Sequence, residues 1–152
     1  MNEYERKAHD LFLSGYNCAQ AVAAAFSEKM GMDEKTVLKM ASGFGGGMGR
    51  MREVCGAVSA MTMVLSNLYG YNETDDDEKK ALYSLVQKCC ERFKDEYKTI
   101  ICKTLLGLDG EIKHEPTPTK RSEEFYKKRP CLGYVVCAAS ILSDVISEKE
   151  NF

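Results

Sequence analysis

The chain has 152 residues, of which 44% are hydrophobic, and this is enough to form one globular domain, 1–152, with a core that needs no disulfide or metal to fold. Its 21 basic and 23 acidic side chains are interspersed and give a formal net charge of −2, which disfavours nucleic-acid binding. The N-terminal residues are polar and no apolar run approaches the length of a membrane span, so we expect a cytoplasmic protein with no membrane span.

Apolar residues recur at helical spacing along most of the chain, and no segment shows the sustained alternation of a β-strand. Glycines and good N-cap residues mark where the helices begin and end. The predicted helices run, in chain order, over 3–13, 18 to about 29, 33 to the glycine loop at 43, 53 or 54 to 70, 74–97, 99–106, a short turn capped by Ser122, and 131–146. This pattern predicts an all-α, compact single-domain bundle of about five or six helices.

Two helix starts carry the pattern of a capping box, in which two residues three positions apart cap each other. Asn17 and Gln20 form it before the second helix, and Thr74 and Asp77 form it before the long helix. The helix that begins near Glu53 is apolar or small on almost every face, so we expect it at the centre of the bundle with close neighbours. The polar, proline-bearing segment 108–121 is predicted to be a loop.

The seven cysteines fall into two groups by position. Three lie inside apolar helical patterns and are interpreted as core or flanking residues: Cys89, Cys90 and Cys137. The other four stand where a helix begins: Cys18, Cys55, Cys102 and Cys131. Unpaired backbone N–H groups and the positive end of the helix dipole favour a thiolate there, which makes a better nucleophile and a better metal ligand. An odd number of cysteines does not suit a secreted disulfide framework, and a reducing cytosol favours redox or metal use.

The glycine-dense loop 43–50 precedes the helix of Cys55. Its backbone N–H groups, with the charges of Arg50 and Arg52, could hold a phosphate or carboxylate, although its spacing fits neither a P-loop nor a dinucleotide fingerprint. The alternative is that the glycines permit a tight path over the bundle and a close approach to Cys55. The candidate cofactor-binding residues are Gly45, Gly46, Gly47, Gly49 and Arg50.

Five segments occur in the same order as in a known family: YNCAQAV at 16–22, GFGGGMGR at 43–50, VCGA at 54–57, CKTLLG at 102–107 and CLGYV at 131–135. Together they resemble the C_GCAxxG_C_C family, whose members are described as redox-active. The resemblance implies that the four signature cysteines are Cys18, Cys55, Cys102 and Cys131. One departure is Ala60, where the family pattern has glycine. A related domain beside haem-binding segments in split-Soret-type cytochromes suggests an iron–sulfur centre, but this chain has no Cys-x-x-Cys-His for covalent haem.

If the four signature cysteines converge, two chemistries compete. One is reversible dithiol–disulfide exchange with a small-molecule or protein redox partner, as in a thiol-based oxidoreductase. The other is an iron–sulfur cluster or zinc held by the same four thiolates. Unreactive thiols in an interaction-only bundle, with no cofactor, are the third alternative, and a homodimer is left open.

Within the exchange hypothesis, the sequence ranks the thiols by their charged neighbours. If Arg50 lies near Cys55, its charge lowers the pKa of that thiol, so Cys55 is the first candidate for the attacking cysteine, with Cys18 as its leading resolving partner. The only two histidines are His9, beside Asp10 on the first helix, and His114, in the proline-bearing loop. A catalytic cysteine–histidine pair is therefore disfavoured.

Overall fold

The computed structural model describes residues 1–108, 115–128 and 130–151. In these ranges the chain forms nine α-helices and one short 3-10 helix with no β-strand, so the predicted all-α class is confirmed. The helices are α1 (Glu3–Leu13), α2 (Cys18–Ala25), α3 (Ser27–Met30), α4 (Glu34–Ala41), α5 (Gly56–Tyr69), α6 (Asp76–Tyr97), α7 (Cys102–Leu105), α8 (Glu123–Lys128) and α9 (Cys131–Glu150), with the 3-10 helix at Ser42–Phe44. The count exceeds the predicted five or six because short turns are helical and the second predicted helix is divided.

That division lies at Phe26, between α2 and α3. Phe26 leaves the helical range with φ −105° and ψ 12°, and its fully buried ring stacks on Tyr4 with the ring centroids 4.4 Å apart. The hydroxyl of Ser27 also donates to the carbonyl oxygen of Ala24 at 2.8 Å, which competes with the regular helical hydrogen bonds. Gly31 then ends α3 in the left-handed conformation, φ 66°, as the sequence predicts.

One of the two predicted capping boxes forms. The backbone N–H of Gln20 donates to Asn17 Oδ1 at 2.9 Å, and the backbone N–H of Asn17 donates to Gln20 Oε1 at 3.1 Å. The box between Thr74 and Asp77 is wrong. Asp75 is the N-cap of α6, and its carboxylate accepts from two backbone N–H groups of the first turn, at 2.8 and 3.1 Å. An aspartate one residue nearer the helix takes over the capping role because its carboxylate reaches both donors.

The centre of the bundle is α5, as predicted, packed against α2, α6 and α9. Small residues allow α2 and α5 to approach closely. A Cβ added to Gly56 would lie 2.9 Å from the carbonyl oxygen of Phe44 and 3.3 Å from the Cβ of Ala19. This approach matters for the site because it brings the N-terminal ends of α2 and α5, and so Cys18 and Cys55, to the same region of the molecule.

The last helix, α9, packs against α1, α2, α5 and α6. Within the described residues it is the one helix whose length and composition would suffice to cross a membrane, with a mean hydropathy of 1.5. The prediction that no apolar run reaches that length is therefore wrong. In this structure 44% of that apolar stretch is buried, against the four helices that α9 contacts.

Candidate functional site

Four helix starts meet around one cavity of about 350 Å³. Three of the signature cysteines are the first residues of their helices, α2, α7 and α9, and the fourth is the N-cap residue of α5. All four line the cavity: Cys18, Cys55, Cys102 and Cys131. The positions that the sequence assigns to helix starts are therefore brought together by the fold, although they come from segments far apart in the chain.

A short backbone pairing fixes the relative positions of Cys55 and Cys102. Val54 and Ile101 form an isolated antiparallel bridge. On either side of it, the N–H of Cys55 donates to the carbonyl oxygen of Ile100 at 2.8 Å, and the N–H of Cys102 donates to that of Glu53 at 2.6 Å. Because backbone hydrogen bonds in such a pair set the register of the two segments, this pairing places the two cysteines independently of their side chains.

Cys18 and Cys131 form a close pair of thiols. Their thiols are hydrogen-bonded to each other, and this bond is the first cause of a pKa of Cys18 well above its ordinary value. Burial raises that pKa further, as do the negative charges that Cys131, Cys55 and Cys102 would carry as thiolates. All four thiols are thus near enough to influence one another, and Cys18 is held in its protonated form.

Burial also decides the protonation of Cys55. It raises the pKa of this thiol to about 12, although the backbone N–H groups of Ala57 and Val58 at the start of α5 lower it. The prediction that a helix start and Arg50 give Cys55 a lowered pKa is therefore wrong, because loss of solvation outweighs the attraction of the helix end.

The Arg50 side chain binds the segment 115–119, which is distant from it in sequence. Its guanidinium donates to the carbonyl oxygen of Glu115 at 3.0 Å and to that of Thr117, and it reaches the hydroxyl of Thr119 at 3.3 Å. A salt bridge with the carboxylate of Glu115 spans 3.6 Å. These contacts fasten the 115–119 segment to the rim of the cavity.

The cation beside a signature thiol is Arg52. This side chain is only 8% exposed, and its Nη1 donates to Cys102 Sγ at 3.8 Å. A guanidinium so close to a sulfur favours negative charge on it. Sequence analysis considered Arg52 only as a charge for a bound anion, and no local signal predicted its contact with Cys102, because that contact depends on the pairing of residues 54 and 101.

The glycine loop follows a left-handed path. Five consecutive residues, 46–50, have φ between 55° and 69°, and Arg52 follows at 62°. Two of those five, Met48 and Arg50, are not glycine, and this conformation costs each such residue roughly 1–2 kcal/mol. The backbone N–H groups of residues 48–53 all donate to carbonyl oxygens of residues 43–48. These six amides are thus occupied within the loop and do not form a cradle for an anion.

The loop approaches the site closely at two points. A Cβ on Gly47 would lie 2.7 Å from the Cβ of Cys102, and one on Gly45 would lie 2.6 Å from the Cγ of Asn17, the N-cap of the Cys18 helix. The tight path that the sequence suggests is present, and the approach of Phe44 in the same loop to Gly56 brings it next to Cys55 as well. The five candidate cofactor-binding residues all line the cavity, and their role remains a prediction: Gly45, Gly46, Gly47, Gly49 and Arg50.

The sequence predicts a loop over 108–121 and a short turn capped by Ser122, but not that residues 115–125 form part of the cavity wall. Arg121 donates to the carbonyl oxygens of Phe12, at 3.1 Å, and Tyr16, at 2.9 Å, and its guanidinium lies 4.3 Å from the ring centroid of Phe12. Other residues of this segment complete the cavity wall: Pro116, Pro118, Thr119 and Phe125. An arginine followed closely by Phe125 and Tyr126 is the only signal in the sequence for this packing.

The remaining cysteines and histidines lie elsewhere or outside the described residues. Cys89 is buried in the core, as predicted, and the half-buried Cys90 and Cys137 pack against it; all seven cysteines are free thiols. His9 pairs with Asp10 at 3.0 Å on α1. The other histidine, at position 114, and the loop residues 109–113 lie outside the described part of the chain.

Four thiols have the donor chemistry that zinc or an iron–sulfur cluster needs. Their arrangement does not supply the geometry: over the described ranges, no three or more cysteine, histidine or acidic side chains are grouped so that they could hold a metal ion. Binding such a group would require the thiols to move. The cluster or zinc alternative therefore stays a prediction.

Comparison with known proteins agrees with the arrangement of these cysteines. A family model described as "Putative redox-active protein (C_GCAxxG_C_C)" matches residues 16–145, a range that contains the four signature cysteines and the whole glycine loop. No curated protein and no solved structure matches the chain. Because the family match covers most of the sequence, the chain belongs to the C_GCAxxG_C_C family of redox-active proteins.

Proposed function

We propose that this protein exchanges two electrons with a disulfide substrate through the thiols of its cavity, as a thiol-based oxidoreductase. The observation that carries the proposal is the hydrogen bond between the thiols of Cys18 and Cys131 at the wall of an accessible cavity. Two hydrogen-bonded sulfurs need only a small further approach to form a disulfide. The redox description of the family is consistent with this chemistry.

In this mechanism Cys131 is the attacking cysteine and Cys18 resolves the intermediate. Cys131 is the first residue of the long helix α9, and its sulfur accepts a hydrogen bond from the thiol of Cys18. The helix N-terminus and this hydrogen bond both favour negative charge on the Cys131 sulfur. Cys55, with a pKa of about 12, stays protonated at neutral pH and is less suited to attack. The proposal keeps Cys18 in the resolving role that the sequence suggested and changes the attacking residue.

The reaction balances as an exchange. The Cys131 thiol releases its proton and the thiolate attacks one sulfur of the substrate disulfide, whose S–S bond breaks as the first substrate thiolate leaves and takes up a proton. The thiol of Cys18 then loses its proton and attacks Cys131 Sγ in the mixed disulfide. The second substrate thiol leaves, and the protein now holds a Cys18–Cys131 disulfide. Two electrons and two protons have passed to the substrate, and the reverse sequence oxidises a dithiol.

Disulfide mapping tests this proposal. Protein reduced and then treated with a small disulfide is digested without reduction, and mass spectrometry identifies the linked peptides. We expect a Cys18–Cys131 link in the native chain, a mixed disulfide trapped on Cys131 in Cys18→Ser, and no adduct at either position in Cys131→Ser. Cys137→Ser is the matched control, because Cys137 lies on the same helix but outside the cavity lining.

Two results would contradict the proposal. One is a disulfide between other cysteines that forms unchanged in Cys18→Ser and in Cys131→Ser. The other is metal or iron–sulfur cluster bound stoichiometrically to anaerobically purified protein and lost when any of the four signature cysteines is replaced, since the same thiols would then serve as ligands.

A further inference from the structure

Among the described residues, the charged side chains that line the thiol cavity are all positive. Three arginines line it, Arg50, Arg52 and Arg121, and the described residues of its wall include no aspartate, glutamate or lysine. The neighbouring wall is apolar, with Leu105 and Leu106. A volume of about 350 Å³ is at the lower end of the range for sites that enclose small molecules.

Arg52 is the member of this group whose guanidinium can take a ligand from the cavity. It is buried, with 8% of its surface exposed, and no carboxylate pairs with it among the described residues. Its one described side-chain hydrogen bond is the long contact with Cys102 Sγ, which leaves most of its five N–H donors without a strong acceptor. Its remaining nitrogens are not buried without a partner, a condition that in the described residues applies to Tyr69 Oη, so they are open to the cavity, where an anion can take the place of water.

The other two arginines have different tasks. Arg50 binds the backbone of residues 115 and 117 and the carboxylate of Glu115. Arg121 is held by two carbonyl oxygens and the ring of Phe12. Both therefore hold the wall of the cavity together, and the charge of Arg50 is offset by Glu115, whereas Arg52 lines the cavity beside a thiol and has no paired carboxylate in the described part of the chain.

We propose that the substrate is a small anionic disulfide whose carboxylate binds Arg52 while its sulfur atoms reach the cavity thiols. This inference rests on the proposed thiol–disulfide exchange and adds the substrate class to it. A carboxylate offers the guanidinium a charge-assisted, bidentate hydrogen bond, which a thiol cannot. It would also orient the disulfide, because Cys102, beside Arg52, lines the same cavity as Cys18 and Cys131.

Reactions with disulfides of different charge test the inference. Reduced protein is mixed in a stopped-flow instrument with 5,5′-dithiobis(2-nitrobenzoate), a dianion, with neutral 4,4′-dithiodipyridine, and with cationic cystamine. Each rate is divided by the rate of a free low-molecular-weight thiol with the same reagent, which removes the intrinsic reactivity of the reagent. We expect a normalised preference for the dianion of about tenfold or more, weakened by salt.

Variants assign the preference to Arg52. Arg52→Met should bring the ratio of dianion to neutral rates close to that of the free thiol, and Arg52→Lys should retain part of it, because a single ammonium keeps the charge but not the bidentate geometry. Benzoate, an unreactive carboxylate, should compete with the dianion in the native protein and not in Arg52→Met. Arg92→Met is the control, since Arg92 pairs with Glu148 at 2.8 Å away from the cavity and its loss should leave the ratio unchanged. Thermal unfolding of each variant confirms that it folds.

The outcomes separate this inference from the function on which it rests. If the neutral reagent produces the Cys18–Cys131 disulfide but the native protein shows no normalised preference for the dianion, or Arg52→Met keeps that preference, the anion site is wrong and the exchange chemistry stands. A preference for a protein disulfide over all three small reagents would also overturn the anion site. If no reagent produces the disulfide, the proposed function itself fails.

Discussion

Replacing Gly47 by alanine, with Gly49→Ala as its matched partner, tests whether the glycine loop is a tight steric path. Both glycines have left-handed backbone angles, φ 69° and 55°. They differ in their surroundings. A Cβ on Gly47 would meet the Cβ of Cys102 and the backbone nitrogen of Glu53, each at 2.7 Å, whereas a Cβ on Gly49 would have no atom within 4 Å.

The expected magnitudes follow from this difference. Each substitution places an L-residue in the left-handed conformation, which destabilises the folded state by roughly 1–2 kcal/mol. Both variants also share a smaller stabilisation, because alanine makes the unfolded chain less flexible. Gly47→Ala adds overpacking against atoms that belong partly to the backbone, typically 1–3 kcal/mol. We therefore expect the free energy of unfolding to fall by about 1–2 kcal/mol for Gly49→Ala and by about 2–5 kcal/mol for Gly47→Ala.

Urea denaturation followed by circular dichroism measures both values, and equal slopes against denaturant would show that the folded states are comparable. Under native conditions, alkylation of Cys102 should also be faster in Gly47→Ala, because the loop that covers this thiol has to move. Equal destabilisation of the two variants, with unchanged alkylation of Cys102, would refute the steric explanation and leave only backbone conformation.

Three further predictions concern burial, capping and the cavity wall. The folded-state pKa of Cys55, about 12, exceeds its ordinary 9.0, so the folded state holds this proton more tightly and stability falls as pH rises from 9 toward 12. In denaturation measured at several pH values, Cys55→Ala should reduce this loss of stability, and an unchanged slope of stability against pH would contradict the prediction. Asp75→Ala should destabilise the chain by about 1 kcal/mol in thermal unfolding, with Thr74→Ala close to neutral; the reverse order would restore the capping box rejected above. Arg121→Met should accelerate hydrogen exchange in residues 115–126 while leaving α5 protected, and uniform acceleration would indicate global destabilisation instead.

Helix starts are the features that local chemistry predicted best. The capping box of Asn17 and Gln20 involves atoms only three residues apart, so the sequence contains all the information it needs. The same kind of reasoning failed before α6, where several capping residues stand in succession and Asp75 is the one whose carboxylate reaches the free N–H groups. Local signals thus identify that a helix begins and are less able to choose among adjacent caps.

The charge state of the thiols was the clearest failure, and it has one cause. The end of a helix lowers the pKa of a nearby thiol wherever it lies, and at Cys55 the amides of α5 do so. How far water is removed depends on every element packed around the sulfur, and for Cys55 this removal dominates. The position of a helix end can be read from the sequence, whereas the removal of water from a sulfur depends on the tertiary structure.

The order of helices, the division of the cysteines into two groups and the family to which they belong all follow from local spacing and from motifs, which need no knowledge of distant contacts. The pairing of Cys18 with Cys131, the bridge that fixes the register of the Cys55 and Cys102 segments, and the buried contact of Arg52 with Cys102 exist only after folding. Each joins segments widely separated in the chain, so each depends on the close approach of α2 and α5 and on the path of the glycine loop, which are properties of the packed molecule.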